Sequence, residues 1–290
     1  MKKTFFIAGG DLRQIYAAEK LSEFFSVCIT GFDKNISIPD TLRSEESIPL
    51  CAAPSDYLLL PTPVSSDDVM LNAPFSQNGI SISKLVSTVK KDGIVFGGKI
   101  SKNVKKIFTA EGIEVIDYLD REEFSVLNAV PTAEGAIQLA LEEMPATIYG
   151  SKILITGFGR ISKILVKLLT AMGADVTVAA RKYSDLAWAE IFGCKSISIS
   201  RIEEHGEKYD IVYNTVPSVI LGKSFLEKLN TDCLMIDLAS RPGGIDFKAA
   251  SELGIKVVWA LGLPGKSAPV TSGRIIADTI KNILAERGAI

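Results

Sequence analysis

The run Ile153-Leu-Ile-Thr-Gly157-Phe-Gly159-Arg-Ile-Ser162 constrains the fold of this chain more than any other stretch. A short apolar strand empties into Gly-x-Gly and then directly into an amphipathic helix. Such a side-chain-free turn lets the main chain approach a pyrophosphate, while the helix N-terminus supplies N–H groups and a positive dipole. The spacing predicts dinucleotide contacts from Gly157, Phe158, Gly159, Arg160 and Ile161; the competing reading is an ordinary strand–helix turn. Ser162 holds the third glycine position and is small enough to fit where helix packs on strand. The run sits near mid-chain, so about half of the protein precedes the nucleotide turn.

Strand and helix patterns alternate on both sides of it. Before it, strands are predicted over 4–8, 27–30, 57–60, 93–96 and 113–116, with helices over 13–24, 82–90 and 104–110. These describe a small doubly wound domain whose third strand runs into the rigid loop Pro61-Thr-Pro-Val-Ser-Ser66. The segment 128–135 leads into a long apolar helix that runs to about Met144, is ended by Pro145 and is expected to join the halves. Strands over 153–156, 176–179, 211–214, 234–238 and 257–260 follow at Rossmann spacing. The last helix, roughly 273–285, is expected to return to the first half, by analogy with two-domain dehydrogenases. The predicted class is α/β: two doubly wound domains, the second a Rossmann dinucleotide-binding domain, joined by a long interdomain helix. Expected boundaries are 1–130, completed by 273–290, and 131–272.

Composition removes several functions. The 32 basic and 34 acidic residues are well mixed, with no stripe for nucleic acid and no polybasic run for a membrane surface. The N-terminal apolar run is too short for a secretory signal, and no stretch approaches the ~20 residues of a membrane span. Cys28, Cys51, Cys194 and Cys233 are far apart and form no Cys-x-x-Cys pair, so a cytoplasmic location is expected. The single histidine, His205, lies in a polar connector and reads as a solvated side chain. Histidine-based metal sites and Ser-His-Asp hydrolysis are therefore not expected, and no metal site is predicted. Proton transfer falls to carboxylates, lysine, hydroxyls or water.

The second Rossmann strand ends at Arg181-Lys182, 24 residues after Gly157. An acidic residue there binds the ribose 2′-hydroxyl of NAD, whereas a 2′-phosphate calls for positive charge. Arg181, Lys182 and Ser184 therefore favour NADP, with NAD as the alternative and a solvated basic pair as the plainer reading. Asn214-Thr215-Val216-Pro217 is a rigid turn at a strand's carboxyl end and is expected to border the nicotinamide ribose, with Leu238, Ala239 and Gly262 along the same cofactor. Glycine density over 238–244 and 262–273 suggests close backbone approach to a ligand. Arg241, Lys266 and Ser267 are expected to hold carboxylates, with local salt bridges as the alternative.

In the first half, Ala8-Gly-Gly10-Asp11-Leu-Arg13-Gln14 is a second strand–glycine–helix junction. Its N–H groups and the Arg13 guanidinium suit a substrate carboxylate, while a helix start capped by Asp11 is the competing reading. Thr132, expected with Asp11 and Arg13 to contact the substrate, and Glu134 fall near the opening of the linking helix. Glu134 is the candidate base, one of few carboxylates expected to face an interdomain cleft; its alternative role is a charge favourable to a helix N-terminus.

Together these segments resemble one family, the dipicolinate synthase A chains, dehydrogenases of spore-forming bacteria. The resemblance spans essentially the whole chain. It rests on Gly9-Gly-Asp-Leu-Arg13-Gln14, Pro131-Thr-Ala-Glu134-Gly135, Gly157-Phe-Gly-Arg160, Asn214-Thr-Val-Pro-Ser218, Asp237-Leu-Ala-Ser-Arg-Pro-Gly-Gly244 and Gly262-Leu-Pro-Gly265 with Ala268-Pro269. It implies oxidation of a dihydrodipicolinate-type cyclic dicarboxylate, from a branch of the lysine pathway, to pyridine-2,6-dicarboxylate with NAD(P)+ during sporulation. It also implies the flavoprotein-like dipicolinate synthase B chain as partner; a homo-oligomer is expected besides. The residues suit that chemistry, because loss of a hydride and a proton aromatises the ring without metal or histidine. Arg13, Arg241 and Lys266 would meet the two carboxylates. Two rival readings stand: another NADP-dependent oxidoreductase of a shikimate-like hydroxy acid or an amino acid, and a non-catalytic NADP-sensing protein.

Overall fold

The computed structural model describes residues 2–33, 36–45, 53–205 and 209–290; Cys51 and the end of the polar connector after His205 lie outside them. Contacts divide the chain into two compact units, 1–128 with 268–290, and 129–267.

The first unit is built on a six-stranded parallel sheet of order β3-β2-β1-β4-β5-β6. Its strands are β1 Thr4–Ala8, β2 Ser26–Thr30, β3 Arg43–Glu45, β4 Ser55–Leu59, β5 Val89–Gly97 and β6 Glu114–Asp117. The inner strands are buried on both faces, which is why they read as apolar runs and not as alternating ones. Phe5, Phe25, Tyr57 and Phe96 fill one side, with the Phe5 and Tyr57 rings 4.8 Å apart; Phe6, Leu58 and Val95 belong to the core on the other. The helix Leu12–Ser22 follows β1, and the final helix Pro269–Glu286 packs along it. Gly273 makes that packing close: a Cβ there would stand 2.5 Å from the Arg13 carbonyl oxygen and 2.7 Å from Tyr16 Cβ. The final helix thus begins at Pro269, ahead of the expected residue 273.

Four further elements differ from the sequence expectation. The helix predicted over 82–90 is only Ile82–Leu85 plus a 3-10 turn, Val86–Thr88, and Val89 already belongs to β5. β-Branched Val86, Thr88 and Val89 carry low helix propensity, and pairing of Val89 with Ser55 completes the change. The strand β3 and the strand Lys195–Ser198 of the second unit were not expected; both are short, polar sheet edges with little apolar signal. The linking helix spans Glu122–Glu143, so Pro131 lies inside it and removes a single backbone donor. Glu122 and Glu123 suit its first turn, and buried Phe124 anchors it.

The second unit repeats the architecture. Its parallel sheet has the order β12-β11-β10-β7-β8-β9, with β7 Lys152–Thr156, β8 Asp175–Ala180, β9 Lys195–Ser198, β10 Ile211–Asn214, β11 Leu234–Asp237 and β12 Val257–Trp259. Counted within each unit, both sheets run third, second, first, fourth, fifth, sixth, the Rossmann order. The strand order therefore reverses between β1 and β4 in one unit and between β7 and β10 in the other. Ligands bind such sheets at that reversal, beyond the carboxyl ends of the strands.

Candidate dinucleotide-binding site

At the reversal in the second unit, β7 ends in the Gly157 turn. Gly157 has φ +85°, and a Cβ there would stand 2.5 Å from Thr215 Oγ1 and 3.1 Å from Val216 Cγ2, so both conformation and space demand glycine. Gly159 is different. Its φ is −83°, which any residue adopts, and no described protein atom lies within 4 Å of where its Cβ would be. The protein's own packing does not require this glycine. It is also the N-cap of the 12-residue helix Arg160–Ala171, and offers that helix no capping side chain. An open approach thus leads to an uncapped helix N-terminus, the arrangement that receives a phosphate. This is the cradle a pyrophosphate would fill.

The serine at the third position is explained by its neighbours. Ser162 is fully buried, its Oγ 3.0 Å from Thr215 Oγ1, which in turn donates to the Thr156 carbonyl at 2.7 Å. The hydroxyl ties helix, β7 and the loop after β10 together. The Phe158 ring packs in the core beside Phe192, with centroids 6.0 Å apart, leaving its main chain for ligand contact. Ile161 packs half-buried on the same core, and Arg160 is exposed.

A cleft of about 260 Å³ opens beside the turn, lined by Gly157, Phe158, Arg181, Lys182, Asp185, Val216, Ser218 and Ile220. Arg181 and Lys182 are exposed at the end of β8, against the glycine turn as the spacing predicted. Ser184 is exposed and does not line the cleft; Asp185, one residue on, does. Asp175, at the opposite end of β8, pairs with Lys195 at 2.7 Å.

The loops after β10 and β11 correct the sequence reading. Asn214 is fully buried, and both ends of its carboxamide are engaged inside the protein. Its Oδ1 accepts from Thr156 Oγ1 at 2.6 Å and Val216 N at 3.1 Å, while its Nδ2 donates to Asp237 Oδ1 at 2.7 Å and the Val216 carbonyl at 3.1 Å. Asn214 therefore holds the loop and offers no side-chain group to a cofactor; Pro217 is exposed at its tip. Fully buried Asp237, which the site reading left out, accepts further from Ala239 N at 2.9 Å and Gly244 N at 2.8 Å. Gly243 and Gly244 serve this network: a Cβ at Gly243 would stand 2.8 Å from Asp237 Oδ2, and one at Gly244 would collide with the Asn214 carboxamide. The glycine density here permits close approach to buried side chains. Leu238 and Ala239 are buried and their N–H groups are bonded, Leu238 N to the Asn214 carbonyl at 2.8 Å. Only the acid–amide pairing at two adjacent strand ends could have signalled this network in the sequence.

Arg241 is exposed, its guanidinium 5.8 Å from the centroid of Trp259. Gly262 has φ +71° with open space around it, and Lys266 is exposed on the short helix Leu263–Ser267. The Ser267 hydroxyl donates to the Leu263 carbonyl at 2.8 Å and faces Gly135, so it is not available to a carboxylate. Thr132 is buried. Glu134 is exposed and deep inside its helix, which removes the helix-N-terminus explanation for its charge.

In the first unit, Asp11 caps the helix Leu12–Ser22, accepting from Arg13 N at 3.0 Å. The Arg13 guanidinium grips both Asp11 carboxylate oxygens and donates to the Thr62 carbonyl at 2.8 Å. The helix start capped by Asp11 is thus the reading the structure favours, with Nε and Nη2 of Arg13 engaged and its charge paired with Asp11. Tyr118 is fully buried, bonded to Thr62 Oγ1, and burial pushes its phenol well above the usual tyrosine range.

Among the described residues, no helix is long and apolar enough to cross a membrane. Residues 4–119 match the family model for the N-terminal domain of the dipicolinate synthase A chain. The dipicolinate synthase A chain of Bacillus subtilis (strain 168) is 31% identical over 284 residues, covering 97% of this chain and 95% of the relative. The crystal structure of the dipicolinate synthase A chain from Bacillus subtilis superposes with a TM-score of 0.88 at 30% identity, over 100% of this chain and 98% of the other. That of its counterpart from Bacillus halodurans gives 0.89 at 29% identity, over 98% of each chain. A transhydrogenase from Sinorhizobium meliloti, at 16% identity, TM-score 0.71 and coverage of 99% and 95%, shares the fold. The two six-stranded units, the glycine turn and the whole-length likeness place this protein in the family of dipicolinate synthase A chains.

Proposed function

We propose that the chain is an NAD(P)-dependent oxidoreductase that converts a dihydrodipicolinate-type ring to pyridine-2,6-dicarboxylate in sporulating cells, working with a dipicolinate synthase B chain. The observation that carries the cofactor reading is Gly159: a glycine unneeded by the fold, at an uncapped helix N-terminus with open space before it. A bound nicotinamide dinucleotide would accept the hydride whose loss, with a proton, makes the ring aromatic.

This chain's residues do the rest. The first-turn N–H groups of the helix Arg160–Ala171 hold the pyrophosphate. Arg181 and Lys182, at the rim of the adjoining cleft, meet a 2′-phosphate, which favours NADP over NAD. The Asp237–Asn214–Thr156 hydrogen bonds keep the loops after β10 and β11 in one shape, so the ring end of the cofactor meets preformed walls. Exposed Arg241 and Lys266 are available for substrate carboxylates, and exposed Glu134 is available to take the proton.

Steady-state assay tests the whole reading. The purified chain, given dihydrodipicolinate generated in situ and NADP+, is expected to form dipicolinate and NADPH in equal amounts. Normal NADPH binding with no turnover, even with the B chain present, would leave a nucleotide-sensing role instead.

A further inference from the structure

Two features of the first unit carry a stability cost that its own packing does not offset, and both lie at the carboxyl ends of its strands. The first is Lys99, directly after β5, with φ +57°. Among the described residues only Asp68, at φ 65°, is also a non-glycine in the left-handed region. Aspartate tolerates that conformation, and the Asp68 N–H is held by Ser65 Oγ at 3.0 Å. Lysine has no such tolerance, and the Lys99 ammonium forms no ion pair among the described residues.

The strained backbone is fixed from both sides. Gly98 N donates to the Pro61 carbonyl at 3.3 Å, a Cβ at Gly98 would collide with Thr62, and Ile100 N donates to Asp117 Oδ2 at 2.7 Å. Thr62 in turn takes the Arg13 guanidinium through its carbonyl. Lys99 therefore stands one residue from the contact that joins β5, the loop after β4 and the start of the first helix.

The second feature is Gln14. It is fully buried, and neither Oε1 nor Nε2 has a hydrogen-bond partner among the described residues. Its carboxamide lies against the turn before that helix, since a Cβ on Gly10 would stand 2.7 Å from Cδ and Oε1. An orphaned amide and a strained, unpaired cation persist where a ligand compensates them. The strand order of the first unit puts its ligand crevice between β1 and β4, at this same rim. Asp11 neutralises the Arg13 charge, so that pair presents no net positive charge to an anionic ligand.

We propose that Lys99 is the carboxylate-binding residue of the first unit and that its left-handed backbone is retained to present the ammonium at the strand rim. This rests on the dicarboxylate reading above.

Calorimetric titration of the full chain with pyridine-2,6-dicarboxylate, alongside thermal unfolding without ligand, tests it. Lys99→Ala is expected to weaken dicarboxylate binding about 10- to 100-fold and leave NADPH binding unchanged. Lys99→Gly is expected to weaken it equally while raising Tm, because glycine relieves the strain. Unchanged dicarboxylate affinity in both variants would overturn the assignment alone, as would a Lys99→Gly Tm at or below wild type. A wild-type chain that binds NADPH but no dicarboxylate would overturn the substrate reading and this assignment together.

Discussion

Asp237 shows at the residue scale why a chemistry-bearing side chain need not touch ligand. It is a fully buried carboxylate whose bonded partners are all N–H donors, drawn from Asn214, Ala239 and Gly244. Asp237→Asn turns one acceptor into a donor facing a donor, so a loss of about 1–3 kcal/mol is expected in urea unfolding. A neutral result would mean that the loop tolerates rearrangement. Arg181 is the opposite case, exposed and beside the glycine turn. Arg181→Ala should raise the KM for NADP about 10- to 100-fold, on the order of 1–3 kcal/mol, and leave NAD unaffected; an unchanged NADP/NAD ratio would remove the argument for a 2′-phosphate site. For Glu134→Gln, kcat should fall more than cofactor affinity, and full activity would end its candidacy as base. The glycine turn and the basic pair were legible because their partners are sequence neighbours. For Arg13 the Asp11 cap was legible two residues away, whereas its bond to the Thr62 carbonyl, 49 residues away, leaves no local trace.

At the element scale, the pattern of apolar runs located the central strands and missed the edges. β3 and β9 are polar and short, and pairing with a neighbour is what makes them strands. The segment 82–90 kept an apolar period without the propensity to remain helical, and pairing with β4 decided its end. The contact of the first and final helices gives a sharp test. In an open helix, Gly→Ala stabilises by up to about 1 kcal/mol. At Gly273 the new Cβ would stand 2.5 Å from a backbone carbonyl oxygen and 2.9 Å from Ala17 N, so the helices must part. Gly273→Ala is therefore expected to destabilise by about 1–3 kcal/mol in urea unfolding. A stabilised variant would refute the close approach.

For the molecule as a whole, the first unit is completed by the chain's last segment. Arg121 grips Glu286 at 2.6 and 2.7 Å, and Arg287 grips Glu114 at 2.6 and 2.7 Å. Hydrogen bonds from these arginines hold both carboxyls below the usual glutamate range. A depressed folded-state pKa contributes stability above the unfolded value, about 4.3, and loses it as pH falls through the folded value. Glu114→Gln should thus lower Tm slightly at pH 7, with the gap to wild type closing as pH falls through the folded value; a gap that does not change with pH would show that the ion pair does not contribute. The amino-acid sequence by itself determined the α/β class, the glycine turn after the first Rossmann strand, the basic pair at the end of the second and the family likeness, since each is written in adjacent residues or in their period. The tertiary structure decided which polar side chains remain available to a ligand. Asn214 and Asp237 are satisfied within the protein, and Arg13 and Ser267 are engaged by internal partners, whereas Gly159 is left open and Lys99 strained and unpaired among the described residues. The physical reason is that hydrogen-bond saturation and steric room depend on partners brought from distant strands, and no local pattern encodes them.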